Sequence, residues 1–304
     1  LEPFIHRIVF RFFSEQESLL EEFNAGRIDA VGGLLPGELE KVQRPYQLFA
    51  FKLPRYYAVF FNQSKNLGLK DLPVREALSL SVDKARVARE VFGDYGREIN
   101  GPIPPGSPYS TSESLGHVFD RNLAIQKLEE AGWKTNENGF REKSIKQSTV
   151  ALEINLAVPQ IDFLVRTAQF LKTSWESIGA RTNLIVRAPF DIAETVIKNR
   201  DYEALLFGNI LNSSSDLFSF WHSSERFYPG LNLSIYNNKK VDTLIAGSRQ
   251  NMDSESRTIQ FDDLQKTIVA DMPSLFLYAS DYLYLGPKNL EGLDAHLIGE
   301  PADR

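Results

Sequence analysis

The 304-residue sequence has no cysteine. Disulfides, thiolate metal sites and cysteine nucleophiles are therefore excluded, and the chain suits an oxidising compartment, where a stray thiol is a hazard. Neither sign of charge is in excess: 34 Lys and Arg face 40 Asp and Glu, a net −6 without long single-sign blocks. Such a balance gives no electrostatic basis for gripping nucleic-acid phosphates. No apolar run approaches the ~18 residues of a membrane-spanning helix. The opening Leu1-Glu2-Pro3-Phe4 has neither the basic start nor the apolar core of an export signal, so none is expected within this chain. Hydrophobic residues make up 42% and charged residues 24%, the composition of a globular protein rather than a disordered or fibrous one. The length suits one large domain or two modest ones.

Catalytic signatures are missing too. No Gly-x-Ser-x-Gly elbow, Walker loop, Gly-x-Gly-x-x-Gly, His-Glu-x-x-His or EF-hand loop occurs. His6, His117, His222 and His296 stand singly, so neither a metal nor another cofactor is expected. The acidic pairs Glu21-Glu22, Glu129-Glu130 and Asp262-Asp263 fall on predicted helices, where neighbours point ~100° apart and cannot converge on one atom. They read as solvated faces. Sequons begin at Asn62, Asn212 and Asn232 and read as chance matches.

What is present is an alternation of helix and strand signals, the pattern of an α/β protein. Ser14 and Glu17 form a capping-box signal for a helix carrying Leu19, Leu20 and Phe23. A strand is expected over Ile28–Val31, a helix over Gly37–Arg44, and strands over Gln47–Phe51 and Tyr56–Phe61 around Pro54. Val74, Leu78 and Val82 recur at helical spacing, and Asp83 is placed to cap the next helix. Four prolines within Gly101–Pro108 forbid helix and central strand. Helices are expected over Asp120–Ala131, Asp162–Ile178, Phe190–Lys198, Lys240–Arg249 and Ser254–Ala270. Strands are expected over Val150–Leu156, Thr182–Val186, Tyr202–Phe207, Leu275–Ala279 and Tyr282–Leu285.

One constellation is more specific. Tyr56-Tyr57-Ala58-Val59-Phe60-Phe61-Asn62 is followed by Leu72-Pro73-Val74-Arg75-Glu76-Ala77-Leu78-Ser79-Leu80-Ser81-Val82-Asp83-Lys84. The same order continues with Gly101-Pro102-Ile103-Pro104-Pro105, Leu128-Glu129-Glu130-Ala131-Gly132-Trp133, Trp175-Glu176-Ser177-Ile178-Gly179-Ala180 and Tyr236-Asn237-Asn238-Lys239-Lys240-Val241-Asp242. Together these resemble the bacterial extracellular solute-binding proteins of family 5, the peptide, oligopeptide and nickel receptors of ABC importers. The resemblance implies a periplasmic-binding-protein-like type II fold, two α/β lobes joined by two hinge crossings. Family members are longer at the N-terminal side, so it also implies a C-terminal portion with an incomplete lobe I. On that mapping residues 1–62 and 281–304 belong to lobe I and 63–280 to lobe II, with crossings near Asn62 and near Tyr278–Asp281.

The resemblance further implies a receptor that closes around a peptide-like solute and delivers it to ABC-transporter permease subunits, with no nucleic-acid partner. A periplasmic or lipid-anchored location and a monomeric full-length protein belong to the same expectation. The strand-end loop after Gly208 would carry the group facing a peptide ammonium, here Asn212, an amide where peptide-binding relatives use a carboxylate. Asp216 supplies that charge or caps the helix holding Phe218 and Trp221, and the cap is the favoured reading. Tyr56, Tyr57, Asn62, Asn209, Trp221 and His222 complete the candidate ligand contacts; Phe220 reads as core. Arg75 and Asp83 read as structural, an ion pair and a helix cap. The alternatives are an oligosaccharide or other solute receptor, a sensor built on the receptor fold, and, least favoured, a hydrolase.

Overall fold

Tyr56–Phe61 is an unbroken apolar run, the signature of a strand buried on both faces. The computed structural model describes residues 6–111, 115–145, 148–211 and 216–293, and this run lies at its centre. Among the described residues the strands are β1 (Val31–Leu34), β2 (Gln47–Lys52), β3 (Arg55–Phe61), β4 (Gly96–Glu98), β5 (Lys134–Thr135), β6 (Arg141–Ile145), β7 (Ser148–Ala151), β8 (Glu153–Pro159), β9 (Arg181–Arg187), β10 (Ala204–Ile210) and β11 (Ser274–Gly286). β3 runs antiparallel to β10, with Ala204 opposite Phe61 and Ile210 opposite Arg55. On its other side it meets the first half of β11. β10, β8 and β9 continue the sheet in parallel, while β5, β6 and β7 form a separate small sheet.

β11 serves two sheets. Residues up to Ser280 pair with β3 and β4; from Asp281 onward they pair with β2 and β1. The β2-to-β3 passage at Leu53-Pro54 makes the same change of sheet, directly beside it, since Lys52 is the partner of Asp281. Asn62 follows β3 at the end remote from this passage. β3 takes both its neighbours from the larger sheet, so the chain changes sheet at Leu53-Pro54 and not at Asn62, where the first crossing was expected.

Side-chain alternation along β3 feeds two cores. Tyr57, Val59 and Phe61 pack with Trp133, Trp175 and Leu171 on one face. Tyr56, Ala58 and Phe60 pack with Trp221, Phe261 and Leu264 on the other. A smaller cluster of Leu20, Phe23, Val31, Leu34 and Leu285 closes the second sheet.

Asp83 and Asp120 cap their helices by accepting the backbone N–H of Arg86 and Leu123, each at 2.9 Å. Arg75 departs from its expected ion pair. Its buried guanidinium donates to three carbonyls, Leu69 at 2.7 Å, Met272 at 2.9 Å and Asp271 at 2.9 Å, pinning the C-terminal end of helix Ser254–Asp271 to helix Leu72–Leu80.

Other elements shift. The first helix is Gln16–Asn24 with Glu15 as an N-cap that makes no side-chain hydrogen bond, so the Ser14–Glu17 box does not form. The first strand begins at Val31, and the helix expected at Gly37–Arg44 is a 3-10 turn, Pro36–Lys41. Phe190–Lys198 becomes one turn, Pro189–Asp191, followed by a π-helix, Ile192–Ile197. The two C-terminal strands are one, because the polar pair Ser280-Asp281 interrupts the hydrophobic pattern without interrupting the backbone.

Candidate ligand cleft

The carboxyl ends of β8 and β10 open on the edge of the larger sheet where β3 begins, and the two crossings lie at that edge. In open α/β sheets this is where ligands bind, because loops leaving the strand ends diverge and leave a crevice. The Leu211 N–H donates to the Pro54 carbonyl at 2.7 Å, tying the end of β10 to the β2–β3 passage.

Tyr56 and Asn209 are cross-strand partners on one face, and Asn209 Nδ2 donates to the Tyr56 hydroxyl at 2.9 Å. Both are buried. Burial pushes the Tyr56 hydroxyl well above its ordinary range, against the opposing effect of the Asn209 bond. Tyr56 also meets Phe276, which in turn meets buried Trp221. The structure thus brings Tyr56, Asn209 and Trp221 into one layer beneath the strand ends.

The remaining candidates lie apart. Tyr57 is on the opposite face, among Phe92, Phe163 and Tyr278. Asn62 is fully buried; its Nδ2 donates to the Arg200 carbonyl at 3.1 Å and its Oδ1 accepts from Ser64 Oγ at 2.6 Å, closing a turn after β3. Asp216 Oδ1 accepts the Phe218 N–H at 3.1 Å ahead of helix Phe218–Trp221, whose N-cap is Leu217 and makes no side-chain hydrogen bond, and Oδ2 lies 3.4 Å from an Arg249 nitrogen. His222 stacks on Phe218 at 4.4 Å and shares a 2.9 Å hydrogen bond with Ser224. It belongs to a surface turn. Asn212 lies outside the described residues. Asn232, like Asn62, is fully buried.

Charged groups at the crossing had no signature in the sequence. Arg97 on β4 pairs with Asp281, Nη1 to Oδ1, at 2.5 Å; Lys52 is the strand partner of that aspartate. Lys84, read only as part of a motif, is buried with Nζ on Asn100 Oδ1, and burial pulls its ammonium down to about 8. Among the described residues no group of three or more His, Cys, Asp or Glu is placed to hold a metal. No helix among them is long and apolar enough to cross a membrane.

The family model for bacterial extracellular solute-binding proteins, family 5 Middle, matches residues 2–227, most of the chain. The chain belongs to this family. Among its family 5 relatives is the oligopeptide-binding protein AppA of Bacillus subtilis, 25% identical over 300 residues, covering 97% of this chain and 54% of AppA. The solved structure of B. subtilis AppA, described as a complex with a nonapeptide, superposes with a TM-score of 0.80 at 23% identity, over 92% of this chain and 56% of that one. NikZ of Campylobacter jejuni, described as a complex with Ni(L-His), gives 0.79 at 25% identity, over 93% and 56%. The fold is the periplasmic-binding-protein-like fold expected from the motifs. The chain spans about half the length of the curated family 5 relatives it matches.

Proposed function

We propose that this chain is the C-terminal portion of an extracytoplasmic solute receptor that serves an ABC importer and takes peptides or peptide-like solutes. The observation that carries the reading is the pair of adjacent crossings, Leu53-Pro54 and Ser280-Asp281, in register beside the carboxyl ends of β8 and β10. Two bodies joined by two neighbouring extended passages close on a ligand through small dihedral changes at those residues. On this reading lobe II comprises residues 55–280, and residues 1–52 together with those from 281 onward belong to lobe I. The AppA relationship favours peptide over other solutes.

The ligand contacts proposed are Asn209 and Asn212 at the end of β10, with Tyr56 and Trp221 as the buried layer supporting them. An amide at Asn212 hydrogen-bonds a peptide ammonium without the charge that makes such a bond roughly twice as strong. A ligand whose N-terminus is blocked therefore loses less here than it loses to a receptor with a carboxylate at that place. Tyr57, Asn62, Asp216 and His222 act on packing, turns and caps. Binding without turnover is part of the same proposal. Docking on permease subunits, a monomeric full-length form and a lipid anchor are parts of the same proposal.

The test is thermal unfolding of the full-length receptor against peptides of two to nine residues, their N-acetylated forms and oligosaccharides. A ligand at 100 times its Kd adds about 2.7 kcal/mol of stability. Shifts with peptides, little reduced by acetylation, are expected. Shifts with saccharides alone, or with none of the three, would sink the peptide assignment.

A further inference from the structure

We propose that Arg97 and Asp281 form a clasp across the β11 crossing that sets the angle between the two sheets. This role rests on the two-lobed receptor reading and assigns the hinge its control element. The placement carries the argument. Arg97 sits on β4 opposite Ala279, within the part of β11 that serves the larger sheet. Asp281 is the first residue of β11 to pair with β2, in the other sheet. Their 2.5 Å contact therefore closes over the one peptide at which β11 changes sheets. The side chains are only 27% and 14% exposed, so solvent screens the attraction far less than it would at the surface.

The contact is one-armed. Only Nη1 of Arg97 reaches the carboxylate, while Nε and Nη2 are shielded from solvent without an acceptor. Donors shielded from solvent without an acceptor are costly enough that native folds keep few of them. The guanidinium fork matches a carboxylate with two parallel N–H groups. Rotation of one sheet against the other turns Asp281 relative to β4 and can bring the second arm onto it. The clasp thus has two poses, one arm in the present arrangement and two arms after rotation, and each favours a different lobe angle. Lys52, exposed and opposite Asp281 in the strand register, makes no ion pair with it among the described residues, so Arg97 is the cation on this carboxylate. Glu98 and Lys84 interact with each other nearby and leave Arg97 to Asp281.

The absence of cysteine makes the test direct. Gln169→Cys and Glu40→Cys, both at exposed positions on opposite sides of the crossing, carry spin labels in the 304-residue chain, and pulsed electron resonance reads the distance distribution between them. Asp281→Asn and Arg97→Lys are each expected to shift or broaden that distribution, and the double variant to add nothing beyond either alone. Circular dichroism checks that each variant is folded. Pro54→Gly, which loosens the neighbouring passage without touching the pair, separates the two claims. If Pro54→Gly broadens the distribution and the clasp variants leave it unchanged, the clasp is overturned and the hinge stands. If none of the three moves it, clasp and hinge reading fall together.

Discussion

Lys84 gives a stability change with an unambiguous sign. Its ammonium is buried beside Asn100, and desolvation, opposed by Glu98, lowers its ionisation from the ordinary 10.5 to about 8. Each tenfold change in proton affinity is worth about 1.4 kcal/mol, so roughly 3 kcal/mol of stability is withheld while the folded chain must carry the buried charge. The unfolded chain binds this proton up to about 10.5 and the folded chain only up to about 8. Between those values the unfolded state holds more protons, and stability from this group rises with pH; it is fully present above the upper value and lost as pH falls through the lower one.

The buried tyrosines work in the opposite sense. Burial raises Tyr56, Tyr202, Tyr236 and Tyr278, so the folded state keeps their protons longer and stability falls as pH rises past about 10. Lys84→Met isolates the lysine. Urea unfolding is followed by fluorescence of the buried Trp133, Trp175 and Trp221 for both chains at pH 7.5, 9 and 10.5. The parent is expected to gain about 3 kcal/mol relative to Lys84→Met across that range. A parent-minus-variant difference that stays flat would refute the reasoning, because it would mean that the ammonium keeps its water in the folded chain.

Arg75→Met leaves three buried carbonyls without their charged donor and is expected to cost about 3 kcal/mol, read as a fall in Tm of about 6–12 °C for a chain of this size. Tyr56→Phe and Asn209→Ala break one hydrogen bond from either end, so a double-mutant cycle in denaturant is expected to give a coupling of about 1 kcal/mol; additive losses would contradict the shared bond. Ile8, Val9, Phe10 and Phe12 are exposed, Phe12 at 93%, on a segment with no strand partner among the described residues. Sedimentation of the 304-residue chain is therefore expected to show concentration-dependent association that Phe10→Asp with Phe12→Asp abolishes.

Much of this was legible in the residues. The run Tyr56–Phe61 declared a central strand because six consecutive apolar side chains can be buried only with neighbours on both faces. The cap at Asp83 followed from short-range geometry, a carboxylate three residues ahead of an unsatisfied N–H. The change of sheet was not legible at Leu53-Pro54, because it depends on whether β3 pairs with its sequence neighbour β2 or with the distant β10 and β11, and all of them offer suitable strands. The site suffered similarly. Tyr56 and Tyr57 were equivalent as aromatic candidates, and only the pleat separates them, sending one beneath the strand ends and the other among Phe92, Phe163 and Tyr278. Arg97 and Asp281, far apart in the chain, become neighbours only when β4 adds to β11.

The double membership of β11 has a consequence for how the chain acquires its structure. Ser274 pairs with Phe60, a separation of about 200 residues, and contacts so distant along the chain must wait on slow loop closure. During synthesis β3 is made before either of its neighbours, so both its edges stay open until β10 emerges and one stays open until β11 follows. The two sheets also cannot mature one after the other, because a single strand completes both. An unpaired apolar edge held open for so long is a template for wrong pairing, so the yield of native chain is expected to depend on holding β3 unpaired until β11 arrives.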